Sequence, residues 1–422
     1  MLEGNKSNSF RNNLYTGTSA SFFFWGIVAS IGPLAASQSI SSGLTSSERL
    51  LFLLIGPVVV PVGNLLLGIL SDLFGRRKLF FLSMIFYTSG IIIIGFSNSV
   101  FFLLFGLILA EFGVGGQEPS ALSLVAENTD SEKRPFWLTI ITNMNNIGSA
   151  AITFVFIFFA DTEIARVLLV TISLLIVDII VYTMLSTPES YIWERKKSNE
   201  NWAGDKKKLG IENEGEATHM NNPIFSYLFL VTIGISQYLT FGLMAYVLAP
   251  VEFPGATLDA EIMCVALAGA SISGFIAAKL ISRETKNYTL FSFAFGTLTT
   301  MIMLILYPYL YNMYIFMPLL FMNMAASEFA WASRSVLEPQ VVGTGIRSTF
   351  IGMVRLGPMI AYPIFTAISY SMSIQQFVST NLLLWALGLA ASVVWYVYGI
   401  DVTRKNIDYG AKHSIDAEFS TK

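Results

Sequence analysis

A chain of 422 residues that is 54% hydrophobic and 13% charged, with a mean hydropathy of +0.62, is too apolar for a soluble protein, in which roughly a quarter of residues are charged. The 34 Phe and 32 Gly suit a membrane, because aromatic rings tolerate lipid and Gly lets helices approach closely there. The net charge of −3 averages opposing local biases, and the single Cys264 excludes an internal disulfide and a multi-cysteine metal site.

The polar start MLEGNKSNSFRNNLYTG precedes an apolar run of full spanning length with no small-residue cleavage site, so a retained first helix is expected here, not a signal peptide. Apolar stretches of roughly 20 residues then recur near 16–36, 50–70, 79–96, 100–125, 136–159 and 164–185. After a polar interruption they resume near 224–249, 260–281, 288–310, 314–332, 350–370 and 377–400. Lipid offers no partner to exposed backbone groups, and the runs are too long and uniform for barrel strands, so each is expected to be a helix. The fold class is therefore an all-α polytopic membrane protein of twelve transmembrane helices, arranged as two six-helix bundles.

The interruption, TPESYIWERKKSNENWAGDKKKLGIENEGEATHMNN, is the one long charged segment and reads as a cytoplasmic linker with local helix at best. Expected units are an N-terminal bundle (1–187), the linker (188–222), a C-terminal bundle (223–400) and a cytoplasmic tail (401–422). With both termini inside, all but three of the 25 Lys plus Arg fall on the cytoplasmic side; Arg49 and Arg166 sit at outer helix ends and Arg355 within a span. The outer loops carry acids instead, such as Asp161, Glu163, Glu252 and Asp259.

The loop after the second span reads GILSDLFGRRK, with Gly68, Asp72, Gly75, Arg76, Arg77 and Lys78. Gly68 permits close helix approach, Gly75 a tight turn, and Asp72 can meet a helix N-terminus or an Arg. A generic cytoplasmic loop accounts for the cations but not for this Gly and Asp spacing. The pattern resembles the signature loop of the major facilitator superfamily. Further resemblances follow: Gly115, Gly116, Glu127 and Arg134 in FGVGGQEPSALSLVAENTDSEKR to metabolite and aromatic-acid proton symporters, and Glu338, Gly343, Gly345 and Arg347 in LEPQVVGTGIRS to the counterpart loop. PESYIWE resembles the motif after the sixth helix of sugar porters and organic-ion transporters, and Arg355 with Gly357 the eleventh-helix segment of aromatic-acid symporters. The chain departs from these relatives in four places. Its first helix carries no acid, the usual fourth-helix Arg falls on Leu107, the second-half copy of the loop is reduced to GFIAAKLISRETK, and the final sugar-porter motif is missing from YGIDVTRKN.

The resemblance implies two bundles rocking about a central cavity lined by helices one, four, seven and ten. An ionisable side chain in mid-membrane costs several kcal/mol unless it meets water, a partner or a substrate, so each is a candidate for function. Glu111, about eleven residues into the fourth helix and hence near mid-membrane, is the first candidate for proton coupling; the alternative is a structural pair with Arg355. Asp178 ranks below it because the family pattern puts the sixth helix at the periphery. Glu118 shares the face of Glu111 but lies nearer the cytoplasmic end.

Arg355, about 12 Å deeper than Arg347, can grip a carboxylate with two parallel hydrogen bonds, or can form a salt bridge between bundles. Glu328, with Arg334 beyond it, is a further substrate-site candidate whose plainer reading is an ion-pair network. Glu127, Arg134, Glu338 and Arg347 are expected at one level, latching the cytoplasmic gate. Asn143, Asn145 and Asn146, Gln237 and Tyr238, and Asn323 are candidate substrate hydrogen-bonders, although such groups more often join helices.

Nothing suggests an enzyme: no Walker loop, metal-ligand cluster or cofactor motif is present, and His219 and His413 fall in polar segments. Lys206, Lys207 and Lys208 read as retained positive charge against an anionic leaflet, not as a nucleic-acid site. The expected protein is a monomeric transporter of a cell membrane, in contact with lipid, working by proton-coupled symport of a carboxylate-bearing metabolite. Sugar or polyol transport, drug efflux, and a non-transporting receptor on the same scaffold are the alternatives.

Overall fold

The computed structural model describes residues 2–36, 44–97, 99–158, 162–198, 223–248, 252–253, 256–369 and 371–407. Among them are twelve long helices: α1 Leu2–Ala36, α2 Ser46–Phe74, α3 Arg76–Phe96, α4 Val100–Asn128, α5 Arg134–Phe158, α6 Thr162–Leu185, α7 Pro223–Gly242, α8 Ala256–Ile281, α9 Thr285–Ile305, α10 Met313–Leu337, α11 Arg347–Ser369 and α12 Ile374–Tyr398. Eleven of them are long and apolar enough to cross a membrane, so this is a multi-span membrane protein.

Local chemistry sets several ends. Thr45 accepts from the Glu48 N–H while Glu48 reaches back to the Thr45 N–H, a reciprocal cap that starts α2; Ser373 and Gln376 start α12 in the same way. α1 begins well before the apolar run, carrying helix back through the polar stretch that precedes it. α7 continues as a π-helical turn, Leu243–Val247, and the linker opens with a short helix, Tyr191–Ser198. Residues 199–222 of the linker and 408–422 of the tail lie outside the described residues.

The helix pairings repeat with an offset of six. α1 packs on α5 and α6 as α7 does on α11 and α12, and α4 packs on α2 and α3 as α10 does on α8 and α9. The two bundles meet through α2 with α11 and α5 with α8, contacts that the same offset interchanges. Such a repeated unit places a site at the seam between its copies. Around the outside, Val58, Leu66 and Leu73 of α2, Ile85 of α3, Leu175 and Tyr182 of α6 and Leu383 of α12 are exposed. An apolar surface on this scale belongs in lipid.

Within the first bundle, α1 and α5 touch backbone to backbone. A Cβ on Gly26 would stand 1.9 Å from the Asn145 carbonyl oxygen, and one on Gly148 1.9 Å from that of Phe23. Neither carbonyl can move without its helix. Gly148→Ala is therefore expected to destabilise by about 1–3 kcal/mol or more, whereas Gly357→Ala, which meets the movable Val231 side chain, costs less. Thermal unfolding of both variants in the same detergent checks this; equal midpoints would count against it.

Candidate functional site

The bundle seam holds a buried ion network at one end and a cavity above it. The network begins at the signature loop. Gly75 joins α2 to α3 in a single residue at φ +119°, and a Cβ there would be 2.4 Å from the Glu189 carboxylate. That carboxylate caps α3, accepting from the N–H groups of Arg76 (3.0 Å) and Arg77 (3.1 Å), and the Trp193 indole donates to the Asp72 carbonyl at 2.8 Å. The segment PESYIWE thus docks on the signature loop.

Asp72 then crosses the seam. Its carboxylate accepts from the backbone N–H of Ser348 (3.3 Å) and Thr349 (2.7 Å) at the start of α11, and sits 2.9 Å from Arg76. Glu127, at the end of α4, places Oε1 between Arg76 at 3.2 Å and Arg347 of α11 at 2.5 Å. Arg347 also donates to the carbonyls of Pro339 and Val342. Arg76, Glu127 and Arg347 are buried and the Asp72 side chain is 6% exposed, so these charges are kept by pairing with one another. Arg134 lies at the same end and donates to the carbonyls of Ala126, Thr129 and Lys405, the last in the segment after α12.

A second tier lies deeper. Arg355 Nη2 donates to Glu338 at 2.9 Å and stands 2.6 Å from Glu118 Oε1. Arg334 Nε is 3.4 Å from the same Glu338. The expectation that Glu338 shares a level with Glu127 and Arg347 gives way to two tiers, because Glu338 ends α10 and turns inward toward α11. The alternative reading of Glu111, a structural pair with an Arg such as Arg355, does not form either, since Glu118, seven residues nearer the network, occupies that place.

Above this tier lies a cavity of about 100 Å³, on a scale where roughly 10–15 Å³ admits one water. Arg334 and Arg355 form its floor, Trp25, Phe52, Phe241 and Trp331 much of its wall, and Glu111, Asn145, Gln237, Tyr238, Tyr246 and Tyr362 supply polar atoms. Trp25 of α1 and Trp331 of α10 meet edge to face across the seam, 6.2 Å apart. Pro33 and Pro57, each lacking a backbone donor inside a continuous helix, and the π-helical turn that follows Gly242 stand beside the cavity, where such backbone is tolerated in a membrane protein. Gly56 makes room for Glu111: a Cβ there would be 3.0 Å from the carboxylate. Glu111 takes no ion pair among the described residues.

Of the residues singled out by sequence, Glu111, Asn145, Gln237, Tyr238 and Arg355 line this cavity. Others hold helices together. Asn143 donates to the Ser271 carbonyl (2.8 Å), joining α5 to α8; Asn146 donates to Glu328 (2.6 Å), joining α5 to α10; and Asn323 donates to Thr300 (2.6 Å), joining α10 to α9. Asp178 is exposed on the outer side of α6, away from the cavity. The aromatic wall is not singled out by sequence reasoning, whereas Arg334, named there beside Glu328, lines the cavity; Trp331 and Arg334 are one helical turn apart and so share a face.

A model of the Major Facilitator Superfamily matches residues 14–366. The chain belongs to that superfamily. It is therefore a membrane transporter of small molecules and not an enzyme. Over 98% of its length it superposes on the proton:xylose symporter XylE (TM-score 0.76, 12% identity, 99% of that chain). Over 92% it superposes on the human organic anion transporter MFSD10 (TM-score 0.68, 13% identity, 99% of that chain). In sequence it is similar to the minor myo-inositol transporter IolF of Bacillus subtilis (strain 168), 26% identical over 188 residues, 44% of this chain and 42% of that one. It is also similar to a probable 4-methylmuconolactone transporter of Cupriavidus pinatubonensis (strain JMP 134 / LMG 1197), 33% identical over 101 residues, 24% of each chain. These matches span less than half of either relative. Among the described residues no group of His, Cys, Asp and Glu gathers to hold a metal.

Proposed function

We propose that this superfamily member carries a small carboxylate-bearing metabolite across a cell membrane together with protons, by alternating access, with both termini in the cytoplasm. The observation that carries this reading is the cavity floor, where Arg334 and Arg355 both belong to the lining. Arg334 Nη1 and Arg355 Nε are buried with no hydrogen-bond partner, and forked cationic donors of this kind suit a carboxylate. The aromatic wall above suits an apolar or unsaturated body on that carboxylate. Glu111, buried at the cavity, is the candidate group that takes up the transported proton.

The second reading is a polyol or sugar porter, favoured by Asn145, Gln237 and the three tyrosines, which could serve a ring of hydroxyls. Two probes separate the readings: 4-methylmuconolactone, whose acetate arm is anionic, and neutral myo-inositol. The purified protein is expected to be stabilised against heat by the acid, by about 2.7 kcal/mol at a hundred times its Kd, and in proteoliposomes to take it up faster when the outside is acidic. Stabilisation and uptake with myo-inositol alone would transfer the assignment to the polyol reading.

A further inference from the structure

The second tier of the network is electrically balanced. Arg334 and Arg355 face Glu118 and Glu338, and all four side chains are buried. Around Glu118 the charged or titratable groups are Arg355 from α11, Arg334 and Glu338 from α10 and Tyr238 from α7, with Glu111 on its own helix seven residues away. A ligand carboxylate arriving on this floor adds one negative charge to a set that has none to spare. In the low-dielectric middle of a membrane an uncompensated charge costs several kcal/mol, so one resident carboxylate must lose its charge as the ligand binds.

The geometry distinguishes the two candidates. Glu338 accepts an aligned hydrogen bond from Arg355 at 2.9 Å and has Arg334 beside it at 3.4 Å. Glu118 Oε1 is 2.6 Å from the same Arg355 nitrogen but off its N–H directions, and neither Glu118 oxygen has a hydrogen-bond partner. Glu118 is therefore held by charge alone and is the easier to displace. It also belongs to α4 of the first bundle, while Arg355 belongs to α11 of the second.

Resting on the carboxylate reading above, we infer that the ligand's carboxylate replaces Glu118 on Arg355, and that Glu118 takes up one proton as it is displaced. The proton comes from water and ends on a Glu118 oxygen, the guanidinium exchanges one carboxylate for another, and the net charge of the floor is unchanged. One event thus loads anion and proton together and removes a charge contact across the seam. Glu111, seven residues from Glu118 on the same helix and lining the cavity, remains the group that first takes up the proton on its way from water to Glu118.

The test is calorimetric titration of the full chain in lipid nanodiscs with 4-methylmuconolactone, in two buffers of different ionisation enthalpy. Wild type is expected to take up about one proton per ligand, with Kd rising about tenfold per pH unit on the alkaline side. In Glu118→Gln binding is expected to persist with proton uptake near zero and Kd flat with pH. Proton uptake undiminished in Glu118→Gln overturns this inference and leaves the carboxylate reading standing. Failure of wild type to bind the acid overturns both. Should the variant not fold, infrared difference spectra of wild type decide: ligand binding is expected to produce a new protonated-carboxyl C=O band, and its absence overturns the inference.

Discussion

Replacing Glu127 by Gln is expected to release the end of the molecule that carries the signature loop. Glu127 is the shared counter-ion of Arg76 in the first bundle and Arg347 in the second, and all three side chains are buried. Gln keeps the shape and one acceptor but removes the charge, leaving Arg347 with carbonyl and hydroxyl acceptors of its own bundle, from Pro339, Val342 and Thr344. Breaking one member out of a buried ion network costs about 3–5 kcal/mol, and here the cost falls on the latched conformation. A shift of that size moves a two-state equilibrium by roughly a hundredfold or more. Lys78 and Ile346 lie on opposite bundles at this end, and both are exposed. Spin labels at Lys78→Cys and Ile346→Cys, in a Cys264→Ala background, are expected to report a longer distance in Glu127→Gln than in its parent. Identical distance distributions would show that the latch is held elsewhere.

What could be read from sequence divides along physical lines. Helix number follows from a solvent that forbids unsatisfied backbone, so length and apolarity locate the spans to within a few residues, the polar start of α1 excepted. The boundaries that moved are those governed by caps or charges: α10 runs on through Arg334 to Leu337, past the expected end near 332, where Arg334 is ion-paired with Glu338 inside the network and does not face water. The loop GILSDLFGRRK was legible as a unit because its spacing encodes a turn and a helix-capping acid. The docking of Glu189 onto it was not, since the two segments are more than a hundred residues apart and only the closed bundle unites them.

Depth along a helix was legible and facing was not. Glu111 and Glu118 are seven residues apart and share a face, yet one lines the cavity and the other lies under its floor, because Arg355 arrives from another bundle at the lower level. Asn143 and Asn146, nearly a turn apart, both point into the α5 contacts with α8 and α10, while Asn145 between them lines the cavity. Single-residue spacing cannot assign such roles without the neighbouring helices.

Arg355 is where recognition and latch meet, and its substitution is expected to have the largest effect on ligand. Arg355→Lys keeps a positive charge between Glu118 and Glu338 but presents one compact ammonium in place of a planar fork. Affinity for 4-methylmuconolactone is expected to fall about tenfold, equivalent to about 1.4 kcal/mol. Arg355→Ala leaves the two carboxylates facing each other with only Arg334 near, so a loss of about a hundredfold or more is expected, together with a lower unfolding temperature. The Lys variant separates the two roles: with the charge retained, the distance between labels at positions 78 and 346 should match wild type while binding weakens. Binding by Arg355→Lys within about threefold of wild type would mean that the guanidinium geometry plays no part in recognition, and would leave Arg355 as a strut between bundles and Arg334 as the remaining cation at the cavity floor.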